Sequence, residues 1–228
     1  MDDELGLYIV ADGMGGHAAG EVASSEAIDA VFQMVRRERE AIRALEAGDR
    51  SEAAVRRVQR VIEAAIQAAA YMVFAIAENN PERRGMGTTI STLLLVGDLA
   101  ITGQVGDSRV YQVREGRVRR LTEDHTLVAW QVKQGIISPE EAERSPHKNV
   151  ITRAVGSCDY VEVDTRVHDA RAGDCFLLCS DGLHGYLEDD EIASILELRP
   201  AVAARRLIEI ANQRGGRDNI TAVVVELL

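Results

Sequence analysis

The sequence predicts an α+β protein built on antiparallel sheets, and three observations lead there. Short β-branched runs cluster and are joined by tight Gly-Asp or Glu-Gly turns. Helical apolar stripes come in pairs rather than between successive strands. The regular strand–helix–strand alternation of a parallel sheet is therefore missing. Two sheets, each covered by a helix pair, accommodate every element. With 228 residues, 46% hydrophobic and 28% charged, the chain fits one large globular domain and excludes a disordered tail or a disulfide mini-scaffold.

The elements follow in order. Leu5 to Ala11 is an apolar run without helical period, a buried strand that ends at Asp12-Gly13. Between Glu21 and Ala47, Val22, Ala23, Ala27, Ile28, Val31, Phe32 and Val35 recur at helical spacing, and Gly48-Asp49 stops that helix. Ser51 caps a second helix striped by Val55, Val58, Ile62, Ala65, Ala69, Met72 and Ile76 and closed before Pro81. Strands are expected at Thr88 to Val96 and Leu99 to Val105, then as a hairpin at Arg109 to Val113 and Arg117 to Leu121. Residues 123 to 157 are irregular, with Pro139 and Pro146 and one or two short helices. Strands resume at Tyr160 to Val167 and Asp174 to Ser180. Helices span Glu188 to Leu198 and Pro200 to Arg214, and Asn219 to Leu228 is a last strand.

The formal net charge of −11 argues against nucleic acid or an anionic membrane as the main partner and permits cation sites. No stretch reads as a membrane span, and the start Met1-Asp2-Asp3-Glu4 lacks the basic region of a secretory signal, so a cytoplasmic location is expected. Cys175 and Cys179 share one strand. Four steps of strand cover about 13 Å, too far for a disulfide, so they are expected as buried thiols.

Four aspartates sit beside Gly, Asn or Ser at strand ends or turns: Asp12, Asp107, Asp181 and Asp218. One such residue is an ordinary turn aspartate. Four converging would make an oxygen-rich site for a hard cation such as Mg²⁺ or Mn²⁺.

Taken together, Asp12-Gly13-Met14-Gly15-Gly16-His17, Gly85-Met86-Gly87-Thr88-Thr89, Gly106-Asp107-Ser108-Arg109, Ser180-Asp181-Gly182-Leu183 and Gly216-Arg217-Asp218-Asn219-Ile220-Thr221 resemble the metal-dependent protein phosphatases of the 2C type in their bacterial form. The motifs come in the family's order and cover nearly the whole chain. The resemblance implies an α-β-β-α sandwich, one domain over 1–228, with a flap at about 124–157 beside the active site. It implies two catalytic Mn²⁺ or Mg²⁺ ions and a weaker third. Asp12 bridges the pair, the Gly13 carbonyl binds one ion, Asp181 and Asp218 complete the other side, and Asp107 shares the third with Asp181. Asp12 and Asp218 are the expected catalytic ligands. Asn219 orients the loop of Asp218, Thr88 and Thr89 are structural, and Arg109 pairs with a carboxylate.

The implied reaction is hydrolysis of phosphoserine and phosphothreonine in proteins by a dimetal-activated water, opposing a bacterial Ser/Thr kinase. The cysteines do not form the loop of a tyrosine phosphatase. The implied partners are phosphorylated proteins, a Ser/Thr kinase or its substrates, with no nucleic acid and no membrane. An anti-sigma-factor antagonist is a variant of the same reading. The alternative is a catalytically weak relative that binds phosphoprotein or metal without turnover. Two departures bear on it. The family's preceding strand, with its phosphate-gripping arginine and acidic residues, is not among residues 1 to 228, and Asp2, Asp3 and Glu4 do not reproduce it. On that reading the 228 residues bind metal but handle phosphopeptide poorly. Met14 stands where many eukaryotic relatives carry a histidine. His17 could reach the site, His125 opens the irregular segment, and His147, His168 and His184 are expected at the surface.

Overall fold

The computed structural model describes residues 1–15 and 17–228, with the side chains of residues 17 and 18 left outside that description. Its centre is a pair of four-stranded antiparallel sheets. The first contains β1 (Leu7–Val10), β4 (Ile90–Val96), β5 (Leu99–Val105) and β8 (Asp164–Asp169), in the order β1-β4-β5-β8. The second contains β6 (Arg109–Arg114), β7 (Arg117–Arg120), β9 (Cys175–Cys179) and β10 (Ala222–Glu226), in the order β10-β9-β6-β7. A two-residue ladder joins β2 (Gly13–Met14) to β3 (Gly87–Thr88).

Alternating side chains divide the hydrophobic interior into layers. Tyr8, Val10, Leu93, Val110, Phe176 and Leu178 meet between the sheets. The outer face of the first sheet is covered by α1 (His17–Arg37), α2 (Arg39–Glu46) and α3 (Glu52–Asn79), which bury Val31, Val35, Ile42, Val58, Ile62 and Ile66 on it. Each such aliphatic side chain contributes about 1.5–3 kcal/mol. The outer face of the second sheet is covered by α7 (Asp189–Leu196) and α8 (Pro200–Gln213), through Ile192, Leu196, Ala203 and Leu207. This is the expected α-β-β-α arrangement. Ser51 caps α3 by accepting the Ala54 N–H at 3.3 Å.

Four details differ from the sequence reading. The first long helix breaks at Glu38 (φ −89°, ψ 18°), which re-aims α2 so that Ala41, Ile42 and Leu45 also face the core. The strand expected from Thr88 is interrupted at Thr89, whose N–H is drawn to the Asp12 carbonyl at 2.9 Å. The strand expected from Tyr160 begins only at Asp164, where its register with Gln104 starts. Gln67 of α3 instead takes both backbone groups of Val161. Finally, α3 is long and apolar enough to cross a membrane by length and composition, which corrects the reading that no stretch is. Its apolar stripe faces the first sheet.

Both β1 and β8 are edge strands of the first sheet. The outward backbone of Leu7 is taken up locally: Asp2 and Leu7 exchange N–H···O bonds of 3.0 and 3.1 Å, which blunts part of that edge. Between β7 and β8 the chain forms α4 (Leu127–Lys133), capped by Thr126, and α5 (Pro139–Arg144), closed by a Ser138–Glu141 capping box.

Candidate metal centre

Antiparallel pairing brings one set of strand ends to one rim. The C-terminal ends of β1 and β5 flank the start of β4, since Val10 opposes Ser91 and Val105 opposes Ile90. In the second sheet the end of β9 lies between the starts of β10 and β6, with Cys179 opposite both Ala222 and Arg109. Asp12 follows β1 after one residue. Asp107 lies in the turn that carries the chain from β5 to β6, from one sheet to the other. Asp181 opens α6 (Asp181–His184) directly after β9, and Asp218 lies just before β10. Four aspartates widely separated in sequence thus share one rim.

Asp12 and the Asp107 turn are held through their backbones. The Asp12 N–H donates to Thr89 Oγ1 at 2.9 Å, while its carbonyl accepts from Thr88 Oγ1 and the Thr89 N–H, both at 2.9 Å. Thr89 Oγ1 meets Ser108 Oγ at 2.7 Å, so the two threonines couple Asp12 to the Asp107 turn. Gln104 Nε2 donates to the carbonyls of Gly106 and Ser108 at 2.9 and 2.7 Å. Ser91 Oγ donates to the Ser108 carbonyl at 2.8 Å. These groups are buried, where unmade hydrogen bonds cost most, so the network fixes the turn.

Two glycines permit close backbone approach. A Cβ on Gly13 would stand 2.0 Å from the Gly20 carbonyl oxygen, so glycine there lets the first turns of α1 pack on β2. A Cβ on Gly182 would stand 2.3 Å from the Asn219 carbonyl oxygen. Glycine there lets the Asp218–Asn219 loop close on α6, and Ser180 Oγ seals the contact by donating to that carbonyl at 2.9 Å. Asn219 acts through its backbone: its N–H also donates to Asp218 Oδ1 at 2.8 Å.

The electrostatics show how crowded the rim is. Burial first, then the negative charge of Asp181 and behind it Asp218 and Asp107, push the Asp12 carboxyl up to about 7. Asp107 is likewise pushed up to about 7 by burial, then by Asp181 and Asp124, against the pull of Arg109. Asp181 Oδ1 is buried and meets no donor among the described residues. Among those residues no three His, Cys, Asp or Glu side chains close on a single point. An oxygen-only donor set, two carboxyls with raised pKa and one orphaned buried carboxylate oxygen fit hard divalent cations. Asp12, Asp107, Asp181 and Asp218 supply side-chain oxygens, and the Gly13 carbonyl belongs to the same rim.

Other expected residues have different surroundings. Arg109 pairs with Asp124 through Nε and Nη2, at 3.0 and 2.7 Å, and donates to Tyr111 Oη at 3.0 Å. His125 is buried: its Nδ1 accepts the Gly106 N–H at 3.2 Å, and its Nε2 lies 3.4 Å from Asp164. Besides these, Arg153, beyond α5 in the irregular segment, is tied to Asp164 at 2.9 Å and Glu162 at 2.7 Å. The His17 side chain lies outside the described residues. Cys175 and Cys179 are buried thiols, pushed up to about 11 and about 12 by burial, and Cys158 is exposed.

Two corrections concern the histidines. His184 is not a surface residue: it is partly buried, and its Nε2 lies 3.0 Å from the Asp107 carbonyl. His168 is partly buried on β8, with its Nε2 buried. Of the features missed from sequence, Gln104 carried the clearest signal, an amide at a buried position of an otherwise apolar strand. His184 carried none, because only the packing of α6 shows where it points.

A model of the family "Protein phosphatase 2C" matches residues 2–224. The chain is 39% identical over 224 residues to the serine/threonine protein phosphatase PstP of Mycobacterium tuberculosis, covering 97% of this chain and 40% of that protein. It therefore spans about two-fifths of the length of that relative. It is 36% identical over 226 residues to the serine/threonine phosphatase stp of Listeria monocytogenes, covering 98% of this chain and 85% of that one. Among solved structures, the crystal structure of the M. tuberculosis phosphatase PstP/Ppp matches with a TM-score of 0.80 at 39% identity, covering 97% of this chain and 88% of that one. The catalytic domain of PstP in complex with two manganese ions matches with a TM-score of 0.79 at 37% identity, covering 96% and 86%.

Proposed function

The chain belongs to the protein phosphatase 2C family, Mn²⁺/Mg²⁺-dependent enzymes, and from that premise we propose that it hydrolyses phosphoserine and phosphothreonine in proteins. The observation that carries the reading is the rim itself: four aspartates meet at one sheet edge, and Asp12 and Asp107 are both pushed up to about 7, by burial first and then by the carboxylates around them. Such crowding is unfavourable without a counter-ion. On this reading Asp12, Asp181 and Asp218, with the Gly13 carbonyl, would hold the catalytic cations, and Asp107 with Asp181 a further one. When bound, divalent cations acidify a water into a nucleophile and neutralise charge that builds on phosphoryl oxygens.

The residues themselves do three things. Thr88 and Thr89 take up both backbone groups of Asp12, so its carboxylate is aimed rather than free. The Arg109–Asp124 pair supports the start of β6 behind the Asp107 turn. With their carboxyls raised to about 7, Asp12 and Asp107 are partly protonated near neutral pH in the metal-free protein, and cations must displace those protons, so cation uptake strengthens as pH rises. Substrates are phosphorylated proteins, a reading that the names of the relatives support, and we propose further that the kinase opposed is a bacterial Ser/Thr kinase. The segment at 124–157 is proposed as a substrate-selecting flap, tied to the rim by the His125–Gly106 contact.

The test is turnover of p-nitrophenyl phosphate and of a phosphothreonine peptide, with EDTA and with Mn²⁺. Turnover that EDTA abolishes and Mn²⁺ restores is the expected result. Turnover indifferent to EDTA, or lost on thiol alkylation, rejects the reading. Mn²⁺ binding without any turnover favours the catalytically weak alternative.

A further inference from the structure

α6 is a single turn that carries Asp181 at its first position and His184 at its last. On one side Gly182 meets the Asn219 carbonyl, which fixes α6 against the Asp218 loop. On the other side His184 Nε2 lies 3.0 Å from the carbonyl oxygen of Asp107. A carbonyl can only accept, so Nε2 carries the proton and donates it. The ring lies beside the Arg109–Asp124 pair.

The neighbouring peptides of the Asp107 turn are tethered elsewhere. The Gly106 carbonyl is taken by Gln104 and the His125 N–H, and the Ser108 carbonyl by Gln104 and Ser91. The Asp107 carbonyl is tied to the Asp181 element by His184. The hydrogen bond thus spans the gap between two turns that enter the rim from different strands.

We propose that His184 is a positioning residue that fixes the separation of the Asp107 and Asp181 carboxylates and thereby the affinity for the cation they share. The inference rests on the reading that this pair holds a cation. It assigns His184 no contact with substrate.

The experiment compares His184→Leu, which fills the space without a donor, with His184→Gln, whose amide N–H reaches about as far as Nε2. Mn²⁺ binding is followed by isothermal titration calorimetry and by the Mn²⁺ dependence of p-nitrophenyl phosphate turnover. His184→Leu is expected to weaken the lowest-affinity Mn²⁺ about five-fold, the factor one ordinary hydrogen bond is worth. The tighter ions and the KM at saturating Mn²⁺ should stay as in the wild type, and His184→Gln should restore binding to within about two-fold. In an Asp107→Asn background the leucine effect should vanish, because the two act as one unit.

A wild-type Mn²⁺ isotherm for His184→Leu overturns the proposal. So does a glutamine variant no better than leucine, or a leucine effect undiminished by Asp107→Asn. If circular dichroism shows His184→Leu unfolded, His184→Asn, whose amide stops short of the carbonyl, takes its place with the same readings. A wild type that binds Mn²⁺ but turns nothing over defeats the phosphatase reading alone, and the isotherms still decide His184. A wild type that binds no Mn²⁺ defeats both.

Discussion

Replacing Asp107 by asparagine should stabilise the metal-free protein, and more so at higher pH. Asp107 is 6% exposed, and its carboxyl stands at about 7 in the fold against an ordinary value of 3.8. A carboxyl whose folded value is raised contributes stability that is full below the unfolded value and is lost as pH rises through the folded value. The whole loss corresponds to about 3 pH units, or about 4 kcal/mol. Between about pH 5.5 and pH 8 the remaining part is about 2 kcal/mol, and about half of that once screening at the rim is allowed for. Asparagine keeps the shape and cannot ionise. Its advantage over wild type in EDTA should therefore grow by about 1–2 kcal/mol between those pH values, which is about 2–8 °C in Tm for a chain of this length. Histidines and carboxylates away from the rim titrate alike in both proteins and cancel from the comparison, while Asp12, which the Asp107 charge helps to raise, is relieved in the variant and adds to the same trend. The assay is differential scanning fluorimetry of both proteins in EDTA and in saturating Mn²⁺ at the two pH values. In Mn²⁺ the asparagine variant should gain less Tm than wild type. An asparagine variant destabilised in EDTA at pH 8, or with the same advantage at both pH values, would refute the crowded-rim account.

Asp12→Ala and Asp218→Ala should each lower turnover by more than about a hundredfold, beyond the loss expected from residues that only support a ligand; calorimetry should show the tight Mn²⁺ ions lost, and retained ions would reassign the ligands. Thr89→Val keeps the shape but leaves the Asp12 N–H unpaired and breaks the bond to Ser108. It should cost about 1–3 kcal/mol, read from urea unfolding. Gly182→Ala places a methyl 2.3 Å from the Asn219 carbonyl oxygen. It should cost about 1–3 kcal/mol and weaken the Mn²⁺-induced rise in Tm; an unchanged rise would show that the α6–Asp218 contact does not shape the site.

By itself the sequence determined the family and the layer plan. Periodicity separated the helix pairs from the β-branched strands, and Ser51, Pro200 and the Glu115-Gly116 turn placed boundaries, because these signals are local. Aspartates beside Gly or Asn at strand ends marked the candidate oxygen donors for the same reason. Tertiary structure decided what depends on distance across the fold. The strand from Thr88 is broken by a carbonyl of Asp12, 77 residues from Thr89. The strand from Tyr160 is shortened because α3 takes the backbone of Val161. His184 looked like a surface residue because nothing in Leu183-His184-Gly185 shows that one helical turn aims its ring at Asp107. The raised carboxyls at the rim are collective as well: they arise from burial and from like charges contributed by β1, β5, β9 and β10, and no single segment contains that sum.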